Sequence, residues 1–531
     1  MVNIYEQAIK PVVDLEDGVT VYVPGYSTLG PEEPTLCSSV SEFEGLFGST
    51  PYLFETDQMV SKISKGSPEK GYLYAKSLLA SGLKVLFHRF KSGDVGTAGT
   101  TFNLSSVSVA KTYQLAAVAA SFGVGYSGIK ISLSKNSGNL FDLVVKNSEG
   151  TTVQESVISV DPQSSLYLKL FNSPLVKFKA IENGKVVDIE DSIMLSIASG
   201  NDSKFTTDAG VELTRSVELT LTSSSGDEPQ FMLDGDSGML KALADTSKNG
   251  MMYPLKDFEK YPSVAYLTTG GYYTNKDVAA AQLQFAQDVS AVALVDLDLN
   301  INDDSSWASA KADLASITGS TTAKGKAAHF CGCNSFTVSP YRLVLGDSFN
   351  YLKCLGENMK RGIAPWLPVA NDPNGVSPQG YDTTQKISTS LAETMAEGEI
   401  GVSSNPLIYS TAAGGYKIMG NRTLLSNDGV LSPNSFLNIA VIINRVARAA
   451  RQTANKLKIV STDPNGTFLK FKQSVSKTID PMVVNQDGVL EYKIRHLPKT
   501  APATMNIQIH LVVLEGIEKF NIYIPYELKL D

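Results

Sequence analysis

The 531-residue chain carries 46 Lys and Arg against 54 Asp and Glu, a formal net charge of -8, with 43% hydrophobic and 19% charged residues. That balance excludes intrinsic disorder and fibrous repeats, and it argues against nucleic acid as a partner, whose binders carry excess positive charge. A chain this long exceeds what one hydrophobic core organises, so two to four domains are expected.

Residues 1 to about 20 mix apolar and acidic side chains around Pro11 without a helical period, which reads as an extended arm. The same residues lack the basic start and apolar run of a signal peptide, so no export is expected. From Val19, VTVYVPGYSTLGPEEPTLCSS alternates strand-forming residues with Gly and Pro, and SVSEFEGLFGS follows with helical spacing. GYLYAKSLLASG predicts a helix stopped at Gly82, and LKVLFHRF the strand after it.

Between Gly96 and about Pro229 the texture turns to Ser, Thr, Gly and Val in short alternating segments such as IKISLS, LFDLVVK and VELTLTS, a β-rich insertion. From about Phe231 to Thr423, VAYLTTGG, KDVAAAQLQFAQDV, SAVALVDLDL and SSWASAKADLASI alternate strand and helix. That order predicts a mostly parallel sheet. Residues 369–389, rich in Pro, Gly, Asn and Asp, predict a long loop.

A turn at Ser432-Pro433-Asn434-Ser435 opens an amphipathic helix in which Ile439, Ile442, Ile443, Val446 and Ala450 share one face. Arg445, Arg448, Arg451, Lys456 and Lys458 are left for solvent or a partner. MNIQIHLVVLE and KFNIYIPYELKL then alternate as two strands around a turn at Gly516. The longest apolar stretches, such as 439–443, fall far short of a membrane span, so no membrane insertion is expected.

Four motifs invite a chemical reading. Gly346-Asp347-Ser348 is similar to the nucleophile block of one lipase and esterase family, in which an Asp stands three positions before the catalytic His; none of His88, His329, His496 or His510 has one. His329, Cys331 and Cys333, with Cys354 further on, supply soft ligands for zinc, although the C-x-C spacing is not that of a knuckle and cysteines are common core residues. Cys37 completes the four cysteines, too few for a disulfide framework, so free thiols are expected. GSTTAKGK, 319–326, resembles a phosphate loop but has one residue too many between its glycines and Ala327 at the magnesium-binding position. Asp296, Asp298, Asp303 and Asp304 could hold a hard cation or simply form a loop. No catalytic, cofactor or metal residue is assigned from these.

Several segments, taken in order, resemble the tail sheath family of contractile phages. VYVPGYSTLGPEEPTLCSSVSEFEGLFGS is similar to that family's early block, ending in Phe47-Gly48. The insertion carries similar landmarks at Phe141 to Leu143, Glu155, Val160-Asp161-Pro162 and Asn172-Ser173. GYKIMGNRTLLSNDGVLSPNSFLNIAVIINRVARAARQ resembles the block in which Gly420, Arg422, Thr423 and Leu424 form the Gly-x-Arg-Thr-Leu motif before a long helix. Met419 and Tyr126 stand where tryptophans are usual in the family.

The resemblance implies a multidomain α+β tail-sheath fold. Its parts would be an N-terminal strand-exchange arm at 1–20, an α/β domain of subtilisin-like topology at 21–95 and 230–425, a β-rich outer domain at 96–229, a tube-facing α+β domain at 426–515 and a C-terminal strand-exchange arm at 516–531. It implies no enzyme and no cofactor. A homo-oligomer of stacked, hexameric rings would surround a tail tube protein, bounded by baseplate and tail terminator proteins, and contract to drive the tube through a host envelope. Arg445, Arg448, Arg451, Lys456 and Lys458 would face the tube. Such a protein is made in the host bacterial cytoplasm and resides in the virion tail. The alternatives are the sheath of a tailocin-like injection machine and a serine hydrolase using Ser348.

Overall fold

A computed structural model describes residues 18–27, 29–48, 69–90, 99–106, 112–119, 129–136, 140–146, 151–159, 161, 163–171, 175–182, 185–187, 195–198, 217–220, 237–297, 299, 301, 303–331, 335–338, 341–371, 373–376, 387–397, 402–411, 415–425, 433–457, 464–484, 488–498, 505–514 and 523–530. β1 (Thr20–Gly25) is buried along its whole length, as an apolar run must be when both faces of its sheet are covered. β2 (Thr35–Cys37), α1 (Val40–Phe47), α2 (Glu69–Ala80) and β3 (Lys84–Arg89) follow where the sequence predicts them. Ser39 caps α1 by accepting the Glu42 N–H, and Gly82, at φ 90°, ends the turn after α2.

The insertion contributes nine strands among the described residues. These are β4 (Gly99–Ser106), β5 (Thr112–Ala119), β6 (Lys130–Lys135), β7 (Leu140–Lys146), β8 (Thr152–Ser159), β9 (Val176–Glu182), β10 (Lys185–Val187), β11 (Leu195–Ala198) and β12 (Val217–Thr220). They form two antiparallel sheets, β10-β9-β5-β4-β11 and β12-β6-β7-β8. Phe141, Leu143 and Val145 alternate with half-buried residues along β7, so that sheet has one covered face.

The chain re-enters the body through α3 (Ser237–Ala244), β13 (Val264–Leu267), α4 (Lys276–Val289), β14 (Val292–Val295), α5 (Asp304–Ala315), α6 (Thr321–Lys324) and β15 (Ala327–Cys331). A hairpin of β16 (Ser335–Val338) and β17 (Tyr341–Val344) precedes α7 (Ser348–Lys360), α8 (Thr389–Glu397), β18 (Asn405–Ser410) and β19 (Gly415–Ile418). The main sheet runs β19-β18-β15-β14-β13-β1-β3-β2; its six inner strands are parallel and its two edge strands antiparallel.

Strand order reverses between β1 and β13, the place where open α/β sheets commonly hold a ligand. Here backbone meets backbone instead. A Cβ on Gly71 would lie 2.5 Å from Gly25 Cα, and one on Gly270, at φ 68°, would lie 2.1 Å from the Pro24 carbonyl oxygen. Glycine is required at both places by close approach.

The C-terminal unit has its own core. α9 (Leu437–Leu457) and α10 (Pro464–Val484) cover one face of a three-stranded antiparallel sheet, β20 (Val489–Leu497), β21 (Asn506–Leu514) and β22 (Tyr523–Leu530). Ile439, Ile442, Ile443, Val446 and Ala450 of α9 do share one buried cluster, with Phe471, Val475, Ile479 and Met482 of α10 and Ile507, Ile509, Leu511 and Val513 of β21. Each large side chain there contributes about 1.5–3 kcal/mol by leaving water. Residues 1–17 of the expected arm, 377–386 of the expected loop and the turn at Gly516 lie outside the described residues.

Candidate functional site

The Gly-x-Arg-Thr-Leu motif forms a buried crossing where the last strand of the body hands over to α9. Gly420 sits at φ 89°, and a Cβ there would approach Ala396 Cβ to 2.8 Å. The Arg422 N–H donates to Asn405 Oδ1 (2.7 Å), and Asn405 Nδ2 donates back to the Arg422 carbonyl (2.9 Å) and to that of His329 (3.0 Å). Arg422 Nε donates to the Ala396 carbonyl at the end of α8 (3.1 Å), and its guanidinium lies 4.5 Å from the Phe436 ring centroid. Thr423 Oγ1 donates to the Asn434 carbonyl (2.6 Å), and the Leu424 N–H donates to the Ala327 carbonyl of β15 (2.7 Å). Three consecutive motif positions, Arg422, Thr423 and Leu424, thus tie β15, β18, α8 and the entry to α9 into one hydrogen-bonded knot. The sequence marked these residues; Asn405, the residue that joins them, carried no signal of its own.

The basic residues of α9 divide. Arg448 is 5% exposed and donates Nη1 to the Ser290 carbonyl (2.6 Å), while Arg451 Nη1 donates to the Asp288 carbonyl (2.7 Å) and its guanidinium lies 5.0 Å from the Phe258 ring centroid. Asn444 Nδ2 adds a bond to the Ala291 carbonyl (3.1 Å). Spaced 444, 448 and 451, these three share one helix face, and all meet the orphan carbonyls at the C-terminus of α4, where the helix dipole favours cations. Arg445 lies over Trp366, 5.2 Å from its ring centroid. Lys456 is exposed, and Lys458 lies outside the described residues.

The two edges of the C-terminal sheet differ. β20 exposes Glu491, Lys493 and Arg495, charges that discourage a further strand. On the other side β22, the last described strand, pairs with β21 from Leu514↔Tyr523 to Ile507↔Leu530. Within β21 the buried residues 507, 509, 511 and 513 alternate with half-buried ones, which fixes the register of any strand added beside it.

The motifs with possible chemistry resolve into structural roles. Ser348 is fully buried as the first residue of α7; its hydroxyl donates to Asp296 Oδ2 (2.6 Å) and its N–H donates to Asp296 Oδ1 (2.9 Å). Its other side-chain neighbour is the Tyr74 hydroxyl at 3.4 Å, so no histidine is placed to take its proton. Asp296, just after β14, thus holds the start of α7, and burial raises its carboxyl to about 6. Among the described residues the aspartates of this run do not converge: Asp303 caps α5 with Ser306 in a reciprocal capping box; Asp298 lies outside the described residues.

His329 Nδ1 hydrogen-bonds Ser404 Oγ (2.7 Å), which also meets Cys331 Sγ (3.4 Å). Burial lowers the imidazole to about 3 and raises the Cys331 thiol, which favours the neutral form of both. Cys354 is buried on α7, and Cys333 lies outside the described residues. Among the described residues no three His, Cys, Asp or Glu side chains are grouped to hold a metal ion, and no helix is long and apolar enough to cross a membrane. In the 319–326 run, Ser320 caps α6 by accepting the Ala323 N–H.

No family model and no curated protein matches the sequence. Solved structures similar to it include the sheath tail protein from Desulfitobacterium hafniense, with a TM-score of 0.47 and 11% identity over 97% of each chain. The baseplate of the anti-feeding prophage is also similar, with a TM-score of 0.37 and 14% identity over 56% of this chain and 82% of that one.

Proposed function

We propose that the chain is a structural subunit of the sheath of a contractile tail, polymerising helically around a tube and contracting to drive that tube through a cell envelope. The observation that carries the reading is the C-terminal sheet: β20 presents charged residues at one edge, and β22, at the other, is held by β21 alone, paired from Leu514↔Tyr523 to Ile507↔Leu530. An edge strand held by main-chain hydrogen bonds, with alternating side chains fixing register, is an element one subunit can lend to another. The order of the sheath-like sequence segments supports the same reading, as does the use of Gly420 to Leu424 as a knot between body and C-terminal unit.

In this proposal residues 1–20 and 516–531 exchange strands between neighbours, the main sheet is the subtilisin-like scaffold, and 96–229 lies outside. The partners are copies of the chain in stacked hexameric rings, a tube protein, a baseplate and a terminator, in a virion tail or a tailocin-like machine. Of the tube-facing set, Arg445, Lys456 and Lys458 remain in this proposal, because Arg448 and Arg451 donate to carbonyls at the end of α4. Negative-stain electron microscopy of the concentrated protein, with and without its tube protein, tests the reading. Hollow ridged tubes of uniform diameter are expected; a monodisperse subunit under both conditions overturns it.

A further inference from the structure

We infer that the stretch leading into β1 docks back on its own chain and seats Leu15 in a pocket at the seam between the body and α9. The pocket holds about 230 Å³ and is lined by Phe258, Glu259 and Pro262 from the body and by Gln452, Asn455 and Lys456 from α9. That is below the roughly 300–1,000 Å³ of small-molecule sites and suits a single large apolar side chain. An aromatic ring and a proline supply its apolar lining. The Gln452 Nε2, also at the pocket, is buried without an acceptor among the described residues. An amide N–H left open at such a place is satisfied by a carbonyl or carboxylate oxygen from an occupant.

The occupant follows from where the chain enters the sheet. Thr20, the first residue of β1, pairs with Val264 of β13, and its hydroxyl donates to Ser263 Oγ (3.4 Å). Ser263 is the next residue after Pro262, so the chain comes into β1 beside the pocket wall. Gly18, at φ 116°, permits a turn there that a side chain would resist. Leu15 stands five positions before Thr20, a reach of at most about 18 Å in extended chain.

The sequence of this stretch matches the pocket. Leu15 lies between Asp14 and Glu16. Seating it takes an apolar side chain out of water and brings carboxylate and main-chain oxygens to the open Gln452 amide and to Lys456 at the rim. Glu259, at the same rim, repels those carboxylates, so they lie on the Lys456 side. Docking ties the entry of the body to α9, and on the sheath reading it leaves residues 1–12 to reach a neighbour. It belongs to the isolated subunit and is measured there, apart from any assembly.

The test is a disulfide trap in the full chain, with Glu16→Cys and Glu259→Cys oxidised at low protein concentration and the link located by peptide mass mapping. Fast formation of a link within one chain is expected. Adding Leu15→Ser, with native circular dichroism, is expected to slow the link about tenfold, because a buried leucine is lost. An unchanged rate with Leu15→Ser means that the tether alone makes the link, and it overturns the inference. No link also overturns it, as does a link formed only between chains, which gives the pocket to the same stretch of a second copy.

Discussion

Replacing Asn405 with Leu isolates the knot between body and C-terminal unit. Asn405 is 1% exposed and serves three backbone groups, the N–H and carbonyl of Arg422 and the carbonyl of His329, at 2.7, 2.9 and 3.0 Å. Leu has the same branched shape and is somewhat larger, so no cavity forms, but three buried polar groups lose their partner. At about 1–3 kcal/mol for each unsatisfied group, with some relief from relaxation, the loss is about 3–6 kcal/mol, a large part of a domain's net stability. The assay is urea unfolding followed by tryptophan fluorescence. The two tryptophans report separate places, Trp307 in the body core and Trp366 in the C-terminal core. In Trp307→Phe and Trp366→Phe backgrounds, Asn405→Leu is expected to lower both midpoints. A shift worth less than about 1 kcal/mol refutes the hydrogen-bond argument, and a fall at Trp307 alone refutes the coupling.

Ser348→Ala is expected to cost about 1.5–3 kcal/mol, the worth of a buried hydrogen bond to a carboxylate, and to leave ester hydrolysis indistinguishable from wild type; an esterase rate abolished by the substitution would restore the hydrolase reading. His329 is held neutral down to about pH 3, whereas the unfolded imidazole titrates near 6.5. The unfolded state therefore binds more protons across that window, and stability falls on acidification by about 1.4 kcal/mol per pH unit. Asp296, raised to about 6 from an ordinary 3.8, acts in the opposite sense between those values, because the folded state then holds the extra proton. His329→Gln is expected to flatten the fall in urea midpoint between pH 6.5 and 4.5, and an unchanged slope rejects the assignment. Arg448→Glu is expected to destabilise the isolated subunit, whereas Lys456→Glu leaves it stable and weakens assembly on a tube at low salt; equal unfolding midpoints for the two variants contradict the division of the basic stripe. Deleting 519–531 is expected to leave a folded subunit that forms no long tubes, and sheaths of normal length from it remove strand exchange.

What could be read from the sequence was whatever repeats along one element. The apolar face of α9, the alternation of β21 and the strand–helix order of the body all have local periods, and each lies where its period placed it. The roles of Arg448 and Arg451 have no such period, because their partners are backbone carbonyls of α4 about 160 positions away, which look alike in any sequence. Ser348 reads as a motif only while Asp296 is unseen; the two meet across 52 positions. The β16–β17 hairpin did leave a signal, since SFTV and YRLV alternate around Ser339-Pro340, but four-residue strands are too short to stand out from a loop.

α9 therefore works on two sides at once. Its apolar face is the centre of the C-terminal core, and its Asn444–Arg448–Arg451 face clamps the end of α4 in the body. The Gly420 to Leu424 knot fixes the helix's entry to β15 and β18 a few residues earlier. A hinge between the two units would have to break both sets of polar contacts at once, most of them buried. In a contractile array built from such subunits, body and C-terminal unit travel as one rigid piece. On the sheath reading proposed above, movement then falls on the surfaces between subunits.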